Sequence, residues 1–522
     1  MAFTSFRFIV FLVLAAAAYF LTPKRCRWVT LFVANYVFYF ISGGRIFIYL
    51  LATTVTTYLA TVKIGDMAAK NKIAFNEAKA ELDKEGKKAW KAAFAKKKKR
   101  ILIPTLLFNF GILAVLKYSG FVTENLNLLF AKIGIGTELP VFRFLLPLGI
   151  SFYTFQSMGY LIDVYREKQE PERNFCKLAL FISFFPQIVQ GPISRFGTLA
   201  EQLFRANEFS YTRIKFGVQL MLWGAFKKMV IADRAAVLVD NAFGFPETFG
   251  GTYVAAAALA YAIQIYGDFS GGIDIATGAA QIFGVTLDKN FERPYLATSI
   301  PDYWRRWHMT LGGWFRDYLY IPLGGNRVSV LRWCFNMFVV WLLSGLWHGA
   351  GWNFALWGLY FGVFLSAEKL IGKKWKERSF KIADISANND GNGGNRENMF
   401  LSCVRNIIEH GYVLLVVLVS FVIFRVESVR EIKEQLLGLA GSYGNAMTPM
   451  AAYEIKSYLI LLLIACAGAT PVPAMCVQRL KNTNMWKKSG WLLQSCYILT
   501  GLVLATAFLL GSSVHPFLYF RF

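Results

Sequence analysis

Residues 11–21, 46–62 and 412–424 contain no charged side chain, and similar apolar blocks recur from one end of the chain to the other. A run of about 20 mostly apolar residues is long enough to span the hydrocarbon core of a bilayer as a helix. Lipid offers an open backbone amide no partner, so such runs are required to be helical. The fold class that follows is all-α, a polytopic integral membrane protein. Composition agrees, at 56% hydrophobic and 17% charged, against about 45–50% and about 25% in a soluble domain. Counting the blocks, with 142–164, 178–189, 253–265 and 273–285 among them, predicts about ten to thirteen membrane segments, re-entrant pieces included. The first block, 8–21, has the length of a signal-peptide core. Arg7 is the one charged side chain between it and the start, and no small-residue cleavage site precedes Pro23, Lys24 and Arg25, so a retained helix is expected.

The formal net charge is +24, which in a soluble chain would point to nucleic acid. Here the charge gathers between apolar blocks, so the expected partner is the bilayer and no nucleic acid. Residues 63–100 form a basic stretch ending Lys96-Lys97-Lys98-Lys99-Arg100. Cytoplasmic loops collect Lys and Arg, which puts this stretch and residues 24–27 inside and the N-terminus outside. The same stretch can also rest on anionic lipid. Residues 372–398 combine a basic run with an Asn/Gly-rich one, a composition with little to bury, and read as a mobile connector. One membrane domain over 1–522 is expected, with a core at about 145–370. The seven cysteines are scattered and odd in number, so neither a disulfide framework nor a metal site is predicted.

Residues 299–327 break the apolar rule. Pro301-Asp302-Tyr303-Trp304-Arg305-Arg306-Trp307-His308 and Trp314-Phe315-Arg316-Asp317-Tyr318 crowd charges among aromatic rings. One reading is an interfacial amphipathic helix anchored by its aromatics. The other gives Arg305, Arg306 and Arg316 an anionic group to bind bidentately, although Asp302 and Asp317 are ready ion-pair partners. The next apolar block holds Leu343-Ser344-Gly345-Leu346-Trp347-His348-Gly349-Ala350-Gly351-Trp352-Asn353. An ionisable group at such a position is expensive and tends to mark function. An imidazole with an ordinary pKa near 6.5 accepts a proton at physiological pH. A structural hydrogen bond within the helix bundle remains the plain alternative. The small residues beside His348 admit a ligand or simply let helices pack. Asp163, Asp268 and Asp274 are further carboxylates among apolar neighbours, read as hydrogen-bonded at helix breaks such as Gly267 and Gly271 rather than as a relay.

Taken together, Trp304-Arg305-Arg306-Trp307-His308, Arg316-Asp317-Tyr318-Leu319-Tyr320-Ile321-Pro322-Leu323-Gly324-Gly325-Asn326 and Gly345-Leu346-Trp347-His348-Gly349 resemble the membrane-bound O-acyltransferase (MBOAT) superfamily. Within it the chain is similar to the bacterial cell-surface branch, which includes alginate O-acetylation and teichoic-acid D-alanylation membrane proteins. Tyr266-Gly267-Asp268-Phe269-Ser270-Gly271, Phe184-Phe185-Pro186-Gln187 and Phe291-Glu292-Arg293-Pro294-Tyr295 support this. Gly271-Gly272-Ile273-Asp274 and Gly312-Gly313 depart from the usual pattern, which leaves the substrate less defined than the reaction.

The resemblance implies an acetyltransferase that moves an acetyl group from acetyl-CoA or a carrier thioester on the cytoplasmic side to hydroxyls of a cell-surface polysaccharide. The acceptor would be an alginate-like exopolysaccharide or peptidoglycan. It implies His348 as the catalytic base and His308 as a second catalytic position; His308, Asn353 or a nearby backbone amide is then expected to orient the base or stabilise the oxyanion. Asn353, Trp304, Arg305, Arg306, Arg316 and Asp317 are candidates for substrate binding. No bound cofactor is expected. A periplasmic or extracellular partner of the SGNH-hydrolase type and a bacterial inner-membrane location are also implied. The rival readings are D-alanyl transfer to teichoic acid, a transporter, and a non-catalytic scaffold of a polysaccharide export complex. A transporter would show paired, broken-helix halves, and none is visible in the sequence.

Overall fold

The computed structural model describes residues 1, 3–244, 251–386, 395–442, 447–511 and 517–518. Among the described residues the regular elements are helices, with no strand. Seven described helices are long and apolar enough to cross a membrane. Shorter apolar helices, Phe6–Leu21 among them, stand beside these, and several sequence blocks do not become one long helix each. The block at 142–164 stays non-helical until Gly149, whose φ of 69° starts the helix Ile150–Tyr165. The block at 178–189 is interrupted at Phe184, ahead of Pro186. Proline has no N–H for the helical ladder, so Pro186 is tolerated in the first turn of a new helix and not in the interior of the old one. Asn35 compensates, its Oδ1 accepting the Phe185 N–H at 3.0 Å. Blocks 253–265 and 273–285 run together as one helix, Gly251–Ile282. The helix breaks expected at Gly267 and Gly271 are therefore absent. The stretch expected as a mobile connector also differs: helix runs on to Ser386 and resumes at Asn395, while residues 387–394 lie outside the described residues.

Contacts divide the chain into two compact units. The first comprises Met1–Ala225 and Gly272–Asp288, with a short piece near the C-terminus. Its first helices are α1 (Phe6–Leu21), α2 (Arg27–Gly43), α3 (Phe47–Ala78) and α4 (Lys84–Lys132), followed by α5 (Ile150–Tyr165) and α6 (Phe175–Ser183). Helix α3 packs on α4 and α5, and α2 on α6. Two buried threonines on α3 satisfy their hydroxyls by bonding back into the helix, Thr54 to the Leu50 carbonyl and Thr61 to that of Thr57, each at 2.8 Å. The basic stretch 63–100 is mostly helical, carried by the ends of α3 and α4.

The second unit comprises Phe226–Gly271 and Lys289–Phe508, with Phe517 and Leu518 of the C-terminus. Its main elements are α7 (Gly251–Ile282, up to Gly271), α8 (Ile300–Arg306), α9 (Met309–Phe315), α10 (Val330–His348), α11 (Trp352–Ser386) and α12 (Asn395–Arg425). Helices α10 and α11 form a tight antiparallel hairpin. Glycine is required where they cross: a methyl group on Gly345 would run into the Phe354 carbonyl, and one on Gly358 into that of Trp341. This is the close approach that small residues give membrane helices.

Candidate active site

His348 is the last residue of α10, so the hairpin fixes where it stands. The turn that follows leaves no room for side chains, since a methyl group at Gly349 would overlap the Phe354 ring. Three rings enclose the half-buried imidazole: Trp347, Trp357 of α11 and Phe424 of α12, with centroids 5.0, 5.2 and 5.4 Å away.

His308 reaches the same place from a different kind of structure. Ser299 caps α8 by accepting the Asp302 N–H, with Pro301 in the first turn. The helix stops at Arg306, and His308 takes a left-handed conformation (φ 46°) at the start of α9. That conformation is unfavourable for a side-chain-bearing residue and is held from outside. Residues 290–292 run alongside 306–309, Glu292 N–H donating to the Arg306 carbonyl (2.9 Å) and Met309 N–H to that of Asn290 (3.0 Å). The Asn290 side chain adds three contacts through Oδ1: the Thr310 N–H at 3.1 Å, the Thr310 hydroxyl at 2.8 Å and His308 Nδ1 at 3.3 Å. The buried His308 ring stacks edge-on against Phe269 at 4.8 Å and Trp347 at 5.7 Å. His308 lies outside the candidate membrane spans. Burial pushes its pKa down from the usual 6.5 to about 3, so the ring is neutral at physiological pH.

The two imidazoles, far apart in sequence, end 6.4 Å apart between centroids. Around them several buried polar atoms have no partner among the described residues: His308 Nε2, Asn290 Nδ2 and the indole N–H groups of Trp304 and Trp357. Buried polar groups are normally hydrogen-bonded, so these atoms are what a polar guest would meet. Trp304 belongs to this wall, its ring 4.7 Å from Trp341, 5.6 Å from Trp357 and 4.8 Å from Phe361. The lining thus offers a neutral imidazole with an unpartnered ring nitrogen, a second imidazole, and apolar rings that exclude water.

The other sequence candidates are placed differently. Asn353 is buried and spends one amide N–H on the Phe424 carbonyl at 3.1 Å, tying α11 to α12. Asp302 receives both Arg305 (3.2 Å) and Arg306 (2.9 Å), and Arg316 pairs with its neighbour Asp317 (2.8 Å). These arginines therefore have carboxylate partners already. Asp268 is an ion-pair residue, bonded to the buried Lys228 at 2.6 Å and to the Leu518 N–H at 3.0 Å, and Lys228 also meets Asp233 at 2.8 Å. His410 is engaged with the Ala297 carbonyl at 3.1 Å, and His515 lies outside the described residues.

Sequence reasoning did not single out Asn290, Trp357, Phe424 or Lys228. Asn290 directly precedes the motif at 291–295, the one available hint. The others are ordinary residues of apolar helices until the fold assembles them.

Comparison with known proteins follows the same region. Residues 166–383 match the MBOAT, membrane-bound O-acyltransferase family. The chain is 31% identical to the probable alginate O-acetylase AlgI of Pseudomonas putida, covering 100% of each. It is 32% identical to the peptidoglycan O-acetyltransferase of Helicobacter pylori over 81% of this chain and 82% of that one. With the teichoic acid D-alanyltransferase of Bacillus subtilis it shares 27% identity over 44% of this chain and 60% of the relative.

Proposed function

The chain belongs to the membrane-bound O-acyltransferase family, and from that premise we propose that it transfers acetyl groups to hydroxyls of a cell-surface polysaccharide. The donor is acetyl-CoA or a carrier thioester reached from the cytoplasmic side. The acceptor is an alginate-like exopolysaccharide or peptidoglycan, in line with the relatives that align over most of the chain. The D-alanyl reading is weaker, because its relative aligns over less than half of this chain.

The observation that carries the reading is the pair of imidazoles 6.4 Å apart in an aromatic pocket. An alcohol is a poor nucleophile at neutral pH, and a positioned base contributes about 10²–10⁴-fold. His348 takes the hydroxyl proton as the oxygen attacks the thioester carbonyl. The carbon–sulfur bond then breaks, and the thiolate leaves and is protonated. The aromatic lining keeps water from competing for the thioester, and in such a dry site polar groups act more strongly than in water. The unpartnered N–H groups of Trp304 and Trp357 are the donors best suited to the carbonyl oxygen. The proposed location is an inner membrane with the N-terminus outside, a reading supported by the basic stretches at 24–27 and 63–100, since cytoplasmic loops collect Lys and Arg. A periplasmic or extracellular SGNH-type partner completes delivery to the polymer.

Ester-linked acetate on isolated surface polysaccharide tests the proposal, comparing cells with wild type and with His348→Ala at matched membrane abundance. Acetate that appears with wild type and vanishes with the variant is expected. Equal acetate from both removes His348 from the mechanism. None from either turns the search to ester-linked D-alanine.

A further inference from the structure

Asn290 and His308 carry one step more, which rests on the acyl-transfer reading for its meaning but not for its geometry. The Thr310 backbone N–H can only donate, so the side-chain atom it meets at 3.1 Å is the Asn290 oxygen. That identification does not depend on an arbitrary choice between amide oxygen and nitrogen. The same oxygen lies 3.3 Å from His308 Nδ1. Two lone pairs facing each other would repel, so Nδ1 carries the hydrogen. In a neutral imidazole only one nitrogen does so, which leaves Nε2 with a bare lone pair. Nε2 is buried and has no partner among the described residues.

We infer that Asn290 is a positioning residue that fixes His308 as the Nδ1–H tautomer and so makes Nε2 a hydrogen-bond acceptor for a hydroxyl of the acceptor substrate. Two roles were open to His308, orienting the base or stabilising the oxyanion. An oxyanion needs a donor, and Nε2 has no hydrogen to give. His308 therefore works on the hydroxyl side of the reaction. A sugar acceptor offers more than one O–H, so one held on Nε2 leaves another to surrender its proton to His348. Asn290 acts also through the backbone: its two oxygens receive the Met309 and Thr310 N–H groups, the first unsatisfied donors of α9. It thus steadies the left-handed turn at His308 while setting which nitrogen is protonated.

The first test reads the tautomer directly, by nitrogen NMR of the full-length protein labelled with ¹⁵N-histidine in lipid nanodiscs, with His308→Gln to assign its signals. A protonated Nδ1 and an unprotonated Nε2 at neutral pH are expected. The opposite tautomer, or an imidazolium, overturns the inference whatever the protein's activity. The second test is acetyl transfer by Asn290→Ala and Asn290→Asp across pH. Asn290→Ala lowers kcat at least about tenfold, the lower part of what a positioned acid–base group supplies, with the thioester KM within about twofold. Asn290→Asp keeps an acceptor for Thr310 and restores the turn, but its carboxylate favours imidazolium. The acid limb of its pH profile therefore moves to higher pH. Should Asn290→Ala fail to fold, the Asp variant still decides. A wild-type pH profile in Asn290→Asp would make Asn290 a helix cap and nothing more. Absence of acetyl transfer by the wild type would sink the proposed function while leaving the tautomer result to stand or fall alone.

Discussion

The two histidines stand side by side but are held by opposite means. His348 is fixed by a helical hairpin, α10 against α11, in which glycines let the backbones touch. His308 is fixed by irregular chain, a left-handed residue between two seven-residue helices, clamped by hydrogen bonds from the segment at 290–292. A hairpin of long helices places a side chain through packing, which is hard to disturb with a polar substitution and easy to disturb with bulk. A clamped loop places it through hydrogen bonds, where the reverse holds. The same division separates their chemistry. The loop offers Asn290 as a partner that dictates the His308 tautomer, whereas His348 is surrounded chiefly by rings.

The strongest way to break this comparison is to add bulk to the hairpin. Gly345→Leu places a side chain where the Phe354 carbonyl already lies. Overpacking against side chains costs about 1–3 kcal/mol, and here the obstacle is backbone, so the expected loss is at the upper end or beyond. Thermal unfolding of detergent-purified protein should show a large drop in Tm, with acetate transfer lost. A variant that folds and transfers acetate like wild type would mean that the hairpin does not set His348. Next in size is His348→Ala, which leaves the hairpin intact and should reduce transfer by about 10²–10⁴-fold with Tm nearly unchanged. Retained activity at unchanged Tm would move the base elsewhere in the pocket.

His308 allows a comparison by pH. Its burial lowers the folded pKa to about 3 from 6.5. The neutral, accepting form then persists well below the pH at which an exposed histidine becomes charged. Acetyl transfer should show no loss attributable to His308 between about pH 7 and pH 5, read as the difference between the profiles of wild type and Asn290→Asp. Identical acid limbs in both proteins would mean that Asn290 does not set the charge state of His308.

The same contrast explains what the sequence revealed. The helical, membrane-spanning class was legible because charge-free blocks leave the backbone no alternative in lipid. His348 was legible because it is an ionisable residue in an apolar run, and His308 because it sits in a charged aromatic cluster. What could not be read was anything that depends on contacts between distant segments. Asn290 is one polar residue in a short loop, and its importance appears only when residues 306–310 fold back beside it. Trp357 and Phe424 look like any aromatic residue of a membrane helix. Where the apolar blocks begin and end was hidden for a related reason. A proline after Phe184 and a left-handed Gly149 cut two apolar blocks short, whereas Gly267 and Gly271 failed to interrupt α7. Each outcome depends on whether neighbours satisfy the exposed backbone, as Asn35 does at Phe185.

A smaller effect separates the two unpartnered indoles from their rings. Trp357→Phe keeps an aromatic face beside His348 and removes only the N–H. If that N–H meets the donor carbonyl, the loss is about 1–3 kcal/mol, up to roughly 100-fold in kcat/KM. Trp304→Phe should behave alike. No change in kcat/KM for either would confine both residues to wall-building.

The smallest effect is expected at Arg305, and it decides what the charged cluster is for. Its side chain is 69% exposed and shares Asp302 with Arg306, which holds the carboxylate at 2.9 Å. An exposed ion pair contributes at most about 1 kcal/mol, and Asp302 keeps its second arginine when Arg305 is removed. Arg305→Ala should therefore leave Tm within about 4 °C of wild type, and kcat and the thioester KM within about twofold. A donor carrying phosphates would say otherwise if Arg305 bound it, because a charge-assisted contact is worth about 1.5–3 kcal/mol. The KM for acetyl-CoA would then rise at least about tenfold, while a phosphate-free acetyl thioester would be used as before. Measuring both donors on the one variant distinguishes a surface ion pair from a phosphate clamp.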